Sequence, residues 1–462
     1  MILRMRPIPV FCSVIFALCL FPSVRAEEAK PTRLAASAPF LSLEDGSRVV
    51  FLGDSITHQA LYSQYLETFF YTRYPDRRIH FHNAGVSGDR AADALARFDD
   101  DVAAHDPDFV TVLLGMNDGR YEAFSEETFE TYRTGVGEIL SRIEKIGAKP
   151  IALSPTMFDH HQFALRKKDE TFRFRDRPFD EDYNFLMAYY GAWLRETAGA
   201  SRIPFVNLWG PLNDLTFAAR RAQPDFSLVE DAIHPGAAGQ FAMAFSILSE
   251  AQPERRMTSS ISIQRRGDRW IAGKNEAISD LEVSAEADEV SFTFLAKSLP
   301  WVVPATSSSQ DLKWGASAPA SLGYELTKAG HKLSAERFRV SGLAPGQYEL
   351  RIDDVLVDTF PHTSLAAKVE LQKYPDTPQS QQALEVARLN RDRNDLAVRP
   401  MRGLWSRVKG LRNRGDGKQF AEEYPKLLEQ IASLRQKQQE FEDKIYSINQ
   451  PVPRRYHLKR VP

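Results

Sequence analysis

The sequence predicts an α/β fold over residues 47–250, a parallel sheet with helices on both faces, followed by a small antiparallel β domain and a helical hairpin. Three observations predict it. Short apolar runs alternate with helix-spaced apolar residues up to about residue 250, which is how doubly covered strands and their crossover helices read. From about residue 256 the apolar residues recur with period two, between turn signals. Beyond Pro375 the chain becomes polar and helix-forming.

The elements follow in order. Val49 to Leu52 is a buried-strand run; Leu61, Tyr65 and Phe69, with Leu66 and Phe70 beside them, give the helix after it. Ile79 and Phe81 alternate as a second strand, and Leu95, Phe98 and Val102 return to helical spacing. Phe109 to Leu114 is the next buried strand. Ser125 caps an amphipathic helix that reaches about Ile146. Ile151 to Leu153 and Phe205 to Leu208 are short strands, preceded by Pro150 and Pro204, and Gly236 to Leu248 is a last helix. "SSISIQ", "DEVSFTF" and "YELRID" are strands of the β domain. Thr377-Pro378 opens the tail's first helix. Gly403, Gly410, Gly415 and Gly417 interrupt its middle, Phe420 to Ile448 is the second long helix, and "NQPVPRRYHLKRVP" closes it. The expected domains are residues 27–255, 256–372 and 373–462.

Residues 1–26 read as a secretory signal: Arg4 and Arg6, an apolar stretch from Ile8 to Phe21, then Val24-Arg25-Ala26 before Glu27. The stretch is shorter than the roughly 20 apolar residues that cross a bilayer, so no stable membrane span is expected after cleavage. A secreted or periplasmic protein is expected. Cys12 and Cys19 both lie in the signal, which leaves the mature chain without disulfide, thiol nucleophile or cysteine metal site. Hydrophobic residues make up 43% of the 462, enough for real cores, and a formal net charge of −2 favours no nucleic-acid partner.

Four short pieces can carry chemistry. Gly53-Asp54-Ser55 follows the first strand, Val86-Ser87-Gly88-Asp89 the second, and Gly115-Met116-Asn117-Asp118 the third; Asp231-Ala232-Ile233-His234-Pro235 precedes the last helix. Loops that follow parallel strands leave the same rim of the sheet, where ligands bind. Ester hydrolysis needs a serine, a base to deprotonate it, a group to orient the base and donors for the developing oxyanion. Ser55, His234 and Asp231 can fill the first three roles. The N–H groups of Ser55 and Gly88 and the amide of Asn117 can serve as donors. Asp54 is expected to cap the turn and Asp118 to belong to a turn beside Asn117.

In these pieces the chain resembles the SGNH hydrolases, the GDSL-type esterases, whose four letters correspond here to Ser55, Gly88, Asn117 and His234. The resemblance covers about residues 47–250 and includes the Asp231–His234 spacing. It implies a flavodoxin-like three-layer α/β/α sandwich and ester hydrolysis without metal or other cofactor. Gly85 rivals Gly88, but Ser87-Gly88-Asp89 fits the motif better. Thr57-His58 departs from the small or glycine-rich continuation common there and sets an extra imidazole or a steric wall beside the site.

Other groups have plainer readings. His160-His161 lacks a clear third ligand and is read as a solvated loop, within a long polar stretch placed to wall a cleft. Arg90 and Arg120 default to solvent, and His80 and His82 to one face of a strand. Residues 396–415 hold Arg399, Arg402, Arg407, Lys409, Arg412 and Arg414 around Trp405, read as a basic face docked on acidic neighbours ahead of a polysaccharide grip. The expected function is a secreted serine esterase acting on O-acetyl groups of carbohydrate, an expectation that rests for its substrate on architectural analogy. The alternatives are a lipase- or lysophospholipase-like acyl hydrolase and a non-catalytic envelope carbohydrate-binding protein. The expected partner is an acylated carbohydrate or other small ester; the oligomeric state is not legible.

Overall fold

The computed structural model describes residues 40–273, 277–306 and 318–462. The expected signal, residues 1–26, lies outside the described residues. Strands β1 (Arg48–Gly53), β2 (His80–Gly85), β3 (Phe109–Leu113), β4 (Lys149–Leu153) and β5 (Phe205–Val206) form one sheet in the order β2-β1-β3-β4-β5. Every pair in it is parallel. Gly53 is in register with both Gly85 and Leu113, so the first three strands end level and their loops share one rim.

Strand alternation divides the core. Val49 and Phe51 enter one cluster, with residues of the Tyr62–Arg73 and Ala237–Ala251 helices. Val50 and Leu52 enter another, with the Glu126–Lys145 and Tyr183–Ala200 helices. This is a three-layer α/β/α sandwich with the flavodoxin-like strand order.

Among the described residues nine further strands follow: β6 (Met257–Arg266), β7 (Arg269–Ala272), β8 (Ile278–Val283), β9 (Glu289–Phe294), β10 (Ala335–Ser341), β11 (Gln347–Ile352), β12 (Val355–Pro361), β13 (Val369–Glu370) and β14 (Arg454–Val461). They make a sheet β13-β10-β6-β7 and a sheet β12-β11-β14-β9-β8. The second sheet is antiparallel throughout. In the first, β6 and β10 pair in parallel. The chain between them runs through β7, β8, β9 and the Ala320–Thr327 helix, which gives it the length a parallel crossover needs.

The C-terminal segment is a second departure. Residues expected to close the helical hairpin form β14, which inserts between β9 and β11. Tyr456 and Leu458 point into the β core, where Tyr456 stacks on Phe292 at 5.0 Å between ring centroids.

The tail itself consists of the Pro378–Arg393 helix, a π segment (Asn394–Val398), the Arg399–Asn413 helix and the returning Gly417–Ile448 helix. Gly403 and Gly410 lie inside the Arg399–Asn413 helix instead of interrupting it. Interior glycine costs roughly 1 kcal/mol each. Burial of Met401, Trp405, Val408 and Leu411 with Val86 and the facing helix offsets that. Nothing in the packing requires glycine at 403 or 410.

Buried ion pairs fasten the tail to the sandwich and to itself. Arg393 reaches Glu67 of the sandwich at 3.2 Å and, within the tail, Glu442 at 2.9 Å. Arg402 grips Asp101 with two hydrogen bonds, of 2.7 and 2.9 Å. Arg399, Arg402 and Lys409 of the basic stretch are therefore docked on the sandwich, with Trp405 fully buried among them, while Arg407 and Arg414 stay exposed.

Candidate active site

β1 stops at Gly53, and Asp54 caps the short helix Ser55–His58, its Oδ1 accepting from the Ile56 N–H at 2.9 Å. This places Ser55 at the first helical position, on the tip of a strand. Its Oγ lies 2.9 Å from Nε2 of His234. Nδ1 of His234 lies 2.7 Å from Oδ2 of Asp231. The other Asp231 oxygen accepts from the N–H groups of Ile233, at 3.0 Å, and His234, at 2.7 Å. Ala232 makes that tight turn at φ +75°.

The electrostatics follow from these contacts. Burial acts to raise the Asp231 carboxyl. The hydrogen bond and charge of His234, with the two N–H donors, outweigh it and hold the group below its ordinary value. A carboxylate there keeps a proton on Nδ1 and lets Nε2 accept from the Ser55 hydroxyl. Phe174 lies beside the His234 ring, with centroids 6.3 Å apart and planes 29° from parallel. Ser55, His234 and Asp231 are all buried.

The other two loops meet the first. Gly88 is exposed at φ +73°, a backbone region that favours glycine. Its rival Gly85 does a different job: a Cβ there would lie 2.3 Å from the His58 nitrogen, so it lets the Ser55 helix pack closely on β2. The Asn117 Nδ2 donates to the Asp89 carbonyl at 3.1 Å and to Asp54 Oδ2 at 3.3 Å, and its Oδ1 accepts from the Tyr121 hydroxyl at 3.0 Å. Asp118 accepts from the N–H groups of Ala91 and Gly115, at 2.9 and 3.0 Å, and so ties the second loop to the third. Burial, reinforced by repulsion from Asp118 and Asp89, pushes Asp54 up to about 7; burial pushes Asp118 up to about 6.

Sequence reading missed Tyr121 and Phe174. Tyr121 follows Arg120, and both have positive φ, 63° and 58°. Such strain costs about 1–3 kcal/mol per residue. Stacking of Tyr121 on Phe179 and Tyr183, at 4.7 and 5.0 Å, offsets it. An aromatic four residues after Asn117 was the available signal. Phe174 belongs to the polar stretch expected to wall a cleft, and it does reach His234.

His160-His161 opens a helix, His160–Arg166, capped by Asp159, where a loop was expected. Arg90 and Arg120 are exposed. His80 and His82 do more than line a strand: they contact Glu442 at 3.1 Å and Asp101 at 3.0 Å. Among the described residues His82, Asp101 and His105 lie close enough to hold a metal ion. Both Asp101 oxygens, however, already accept from the guanidinium of Arg402, and one also from Arg97, and those cations oppose a third. Among the described residues no helix is long and apolar enough to cross a membrane.

The chain resembles known proteins. The GDSL-like lipase/acylhydrolase family matches residues 51–241. An acetylxylan esterase of Geobacillus stearothermophilus is 24% identical over 232 residues, which span 46% of this chain and 96% of the relative. A solved structure, a gut microbial diltiazem-metabolizing enzyme, superposes with a TM-score of 0.77 at 22% identity, covering 92% of this chain and 100% of that one. A catalytic mutant of the Geobacillus stearothermophilus acetylxylan esterase superposes with a TM-score of 0.37 at 21% identity, covering 46% of this chain and 97% of that one. Residues 51–241, the α/β sandwich with its rim of level strand ends and the motifs on it, thus match the GDSL-like lipase/acylhydrolase family.

Proposed function

We propose that this protein is a secreted serine esterase that removes O-acetyl groups from carbohydrate. The observation that carries the reaction is the hydrogen-bonded series Ser55–His234–Asp231, at 2.9 and 2.7 Å, on the rim of the sheet. Ser55 Oγ attacks the ester carbonyl carbon while His234 Nε2 takes its proton. The N–H groups of Ser55 and Gly88 and the Asn117 amide hold the oxyanion. As the tetrahedral intermediate collapses, His234 gives the proton to the departing sugar oxygen, which leaves an acetyl group on Ser55. Water then attacks that acetyl carbonyl, with His234 again taking a proton. Acetate departs and Ser55 recovers its hydrogen. Asp231 holds the imidazole in the required tautomer and stabilises the imidazolium.

The acetyl preference is supported by the acetylxylan esterase relative. The carbohydrate class draws on a surface feature. Phe124, Phe185 and Tyr189 are 56%, 70% and 49% exposed. With Asp180 and Asp182 they line a concavity of about 450 Å³. It is linked to the site through Tyr121, whose carbonyl accepts from the Asp180 N–H at 3.0 Å and whose hydroxyl donates to Asn117. Exposed rings beside carboxylates offer sugars a stacking face and hydroxyl acceptors. Export is supported by the signal pattern in residues 1–26.

The test is acetate release from a panel of acetylated polysaccharides by the chain from Glu27 onward, beside Ser55→Ala. Release by the parent chain that vanishes in the variant is the expected result. Release that survives in Ser55→Ala overturns the serine mechanism, and no release from any glycan overturns the substrate class.

A further inference from the structure

The Ser87-Gly88-Asp89 loop is held from two sides by groups that the reaction itself does not use. On one side, Nδ1 of His58 accepts from the Ser87 N–H at 3.2 Å. On the other stands Lys409, from the Arg399–Asn413 helix of the tail. Its ammonium donates to Asp89 Oδ1 at 2.9 Å and lies 3.5 Å from the Ser87 carbonyl and 3.4 Å from Asp93 Oδ2. A Cβ placed on Gly88 would lie 3.8 Å from the same nitrogen. The other Asp89 oxygen accepts from Arg97 Nε at 2.9 Å, and the Asp89 carbonyl accepts from Asn117. Val86, just before the loop, is fully buried in a cluster with Met401, Trp405, Val408 and Leu411 of the same tail helix.

Of these contacts, those of Lys409 and the cluster around Trp405 reach the loop from outside the sandwich. Gly88 has no side chain to anchor it and sits at a positive φ. The direction of its N–H is therefore set by the peptides around it: Lys409 lies 3.5 Å from the carbonyl of the Ser87–Gly88 peptide that carries this N–H, His58 holds the peptide before it through the Ser87 N–H, and the Asp89 N–H of the peptide after it donates to the Val86 carbonyl at 3.1 Å. We propose that Lys409 is a positioning residue for ester hydrolysis: the tail helix, through Lys409 and the cluster around Trp405, holds the Gly88 N–H in line with the developing oxyanion. This rests on the oxyanion role given to Gly88 above. It assigns the tail a part in turnover, not only in stability. The 3.5 Å contact is at the limit of a hydrogen bond, so the hold on Asp89 is the stronger of the two.

Full-length chain carrying Lys409→Met, Lys409→Arg or Arg407→Ala, the last on the exposed side of the same helix, is assayed with 4-nitrophenyl acetate. Active sites are counted with a fluorophosphonate, and Ser55→Ala serves as the reference. Misaligning a reacting group costs up to about 100-fold in rate. The expected result is a 10- to 100-fold fall in kcat for Lys409→Met with KM within about twofold, recovery by Lys409→Arg, and no change in Arg407→Ala. An aryl boronic acid, which forms a tetrahedral adduct on the serine, should lose affinity in parallel with kcat. A kcat per active site that is unchanged in Lys409→Met while Ser55→Ala is inactive overturns the proposal. Turnover that persists in Ser55→Ala instead overturns the serine reading beneath it. Should Lys409→Met not fold, Lys409→Gln takes its place, and amide exchange across residues 86–89 must quicken in it and not in Arg407→Ala; unchanged exchange is likewise contrary.

Discussion

At the rim of the parallel sheet, each candidate residue lies within a few residues of the element that positions it: Ser55 two residues after β1, Gly88 three after β2, Asn117 four after β3. In the tail, each side chain that matters finds its partner far back in the chain. Arg402 reaches Asp101 across 301 residues, and Lys409 reaches Asp89 across 320. The rim is encoded locally, by strand endings and the turns after them. The tail is encoded by pairing, and it acts where the two meet, at the loop holding Gly88 and Asp89. A local code can be edited one function at a time, whereas a paired code fails as a unit when one partner is lost.

That difference can be sharpened by substitution. The largest effect belongs to the rim. Ser55→Ala should lower turnover by on the order of 10⁶-fold with little change in unfolding temperature, read by acetate release and calorimetry. Arg402→Ala should do the reverse. It leaves Asp101 buried at the junction with one guanidinium fewer, and loss of one partner of a buried pair costs about 3–5 kcal/mol. Chemical denaturation should show this as a lower midpoint. Asn117→Ala should lower kcat by about 10²–10³-fold, the usual cost of one oxyanion donor, with KM little changed.

The smallest effect is one of pH. Asp54 titrates near 7 in the folded protein against an ordinary value of 3.8. Between those values the folded state holds a proton that the unfolded state has lost, so its contribution to stability falls as pH rises from about 4 to 7. Asp54→Asn keeps an oxygen that can accept from the Ile56 N–H and removes the titration. Its stability should decline less steeply over that window, measured as denaturation midpoint against pH. A slope equal to the parent's would contradict the burial argument.

Much of the sandwich was legible because its strands are apolar on both faces and its helices keep their own period. The four pieces with chemistry were legible because chemistry-bearing residues at strand ends must converge. The proximity of Ser55, His234 and Asp231 could thus be anticipated, whereas the hold on Asn117 by Tyr121 depends on the positive φ of Arg120 and Tyr121, which the spacing of the aromatic alone does not give. β14 was not legible as a strand of the β domain. Tyr456 and Leu458 do alternate with polar residues, but the strands they pair with, β9 and β11, lie far back in the chain. Likewise the parallel pair β6–β10 obeys crossover length, not local pattern. Gly403 and Gly410 misled because helix propensity yields to the burial of Trp405 and its neighbours. Lys409 was visible as one charge in a basic run; only folding shows that it alone among them meets the Gly88 loop.

The most direct test of the central claim is covalent labelling of Ser55. The full chain is treated with a fluorophosphonate, digested and mapped by mass. One phosphonate per chain is expected, on the peptide containing Ser55, lost in Ser55→Ala and greatly slowed in His234→Ala. A label on another residue, or an unlabelled chain that still releases acetate, would contradict the account.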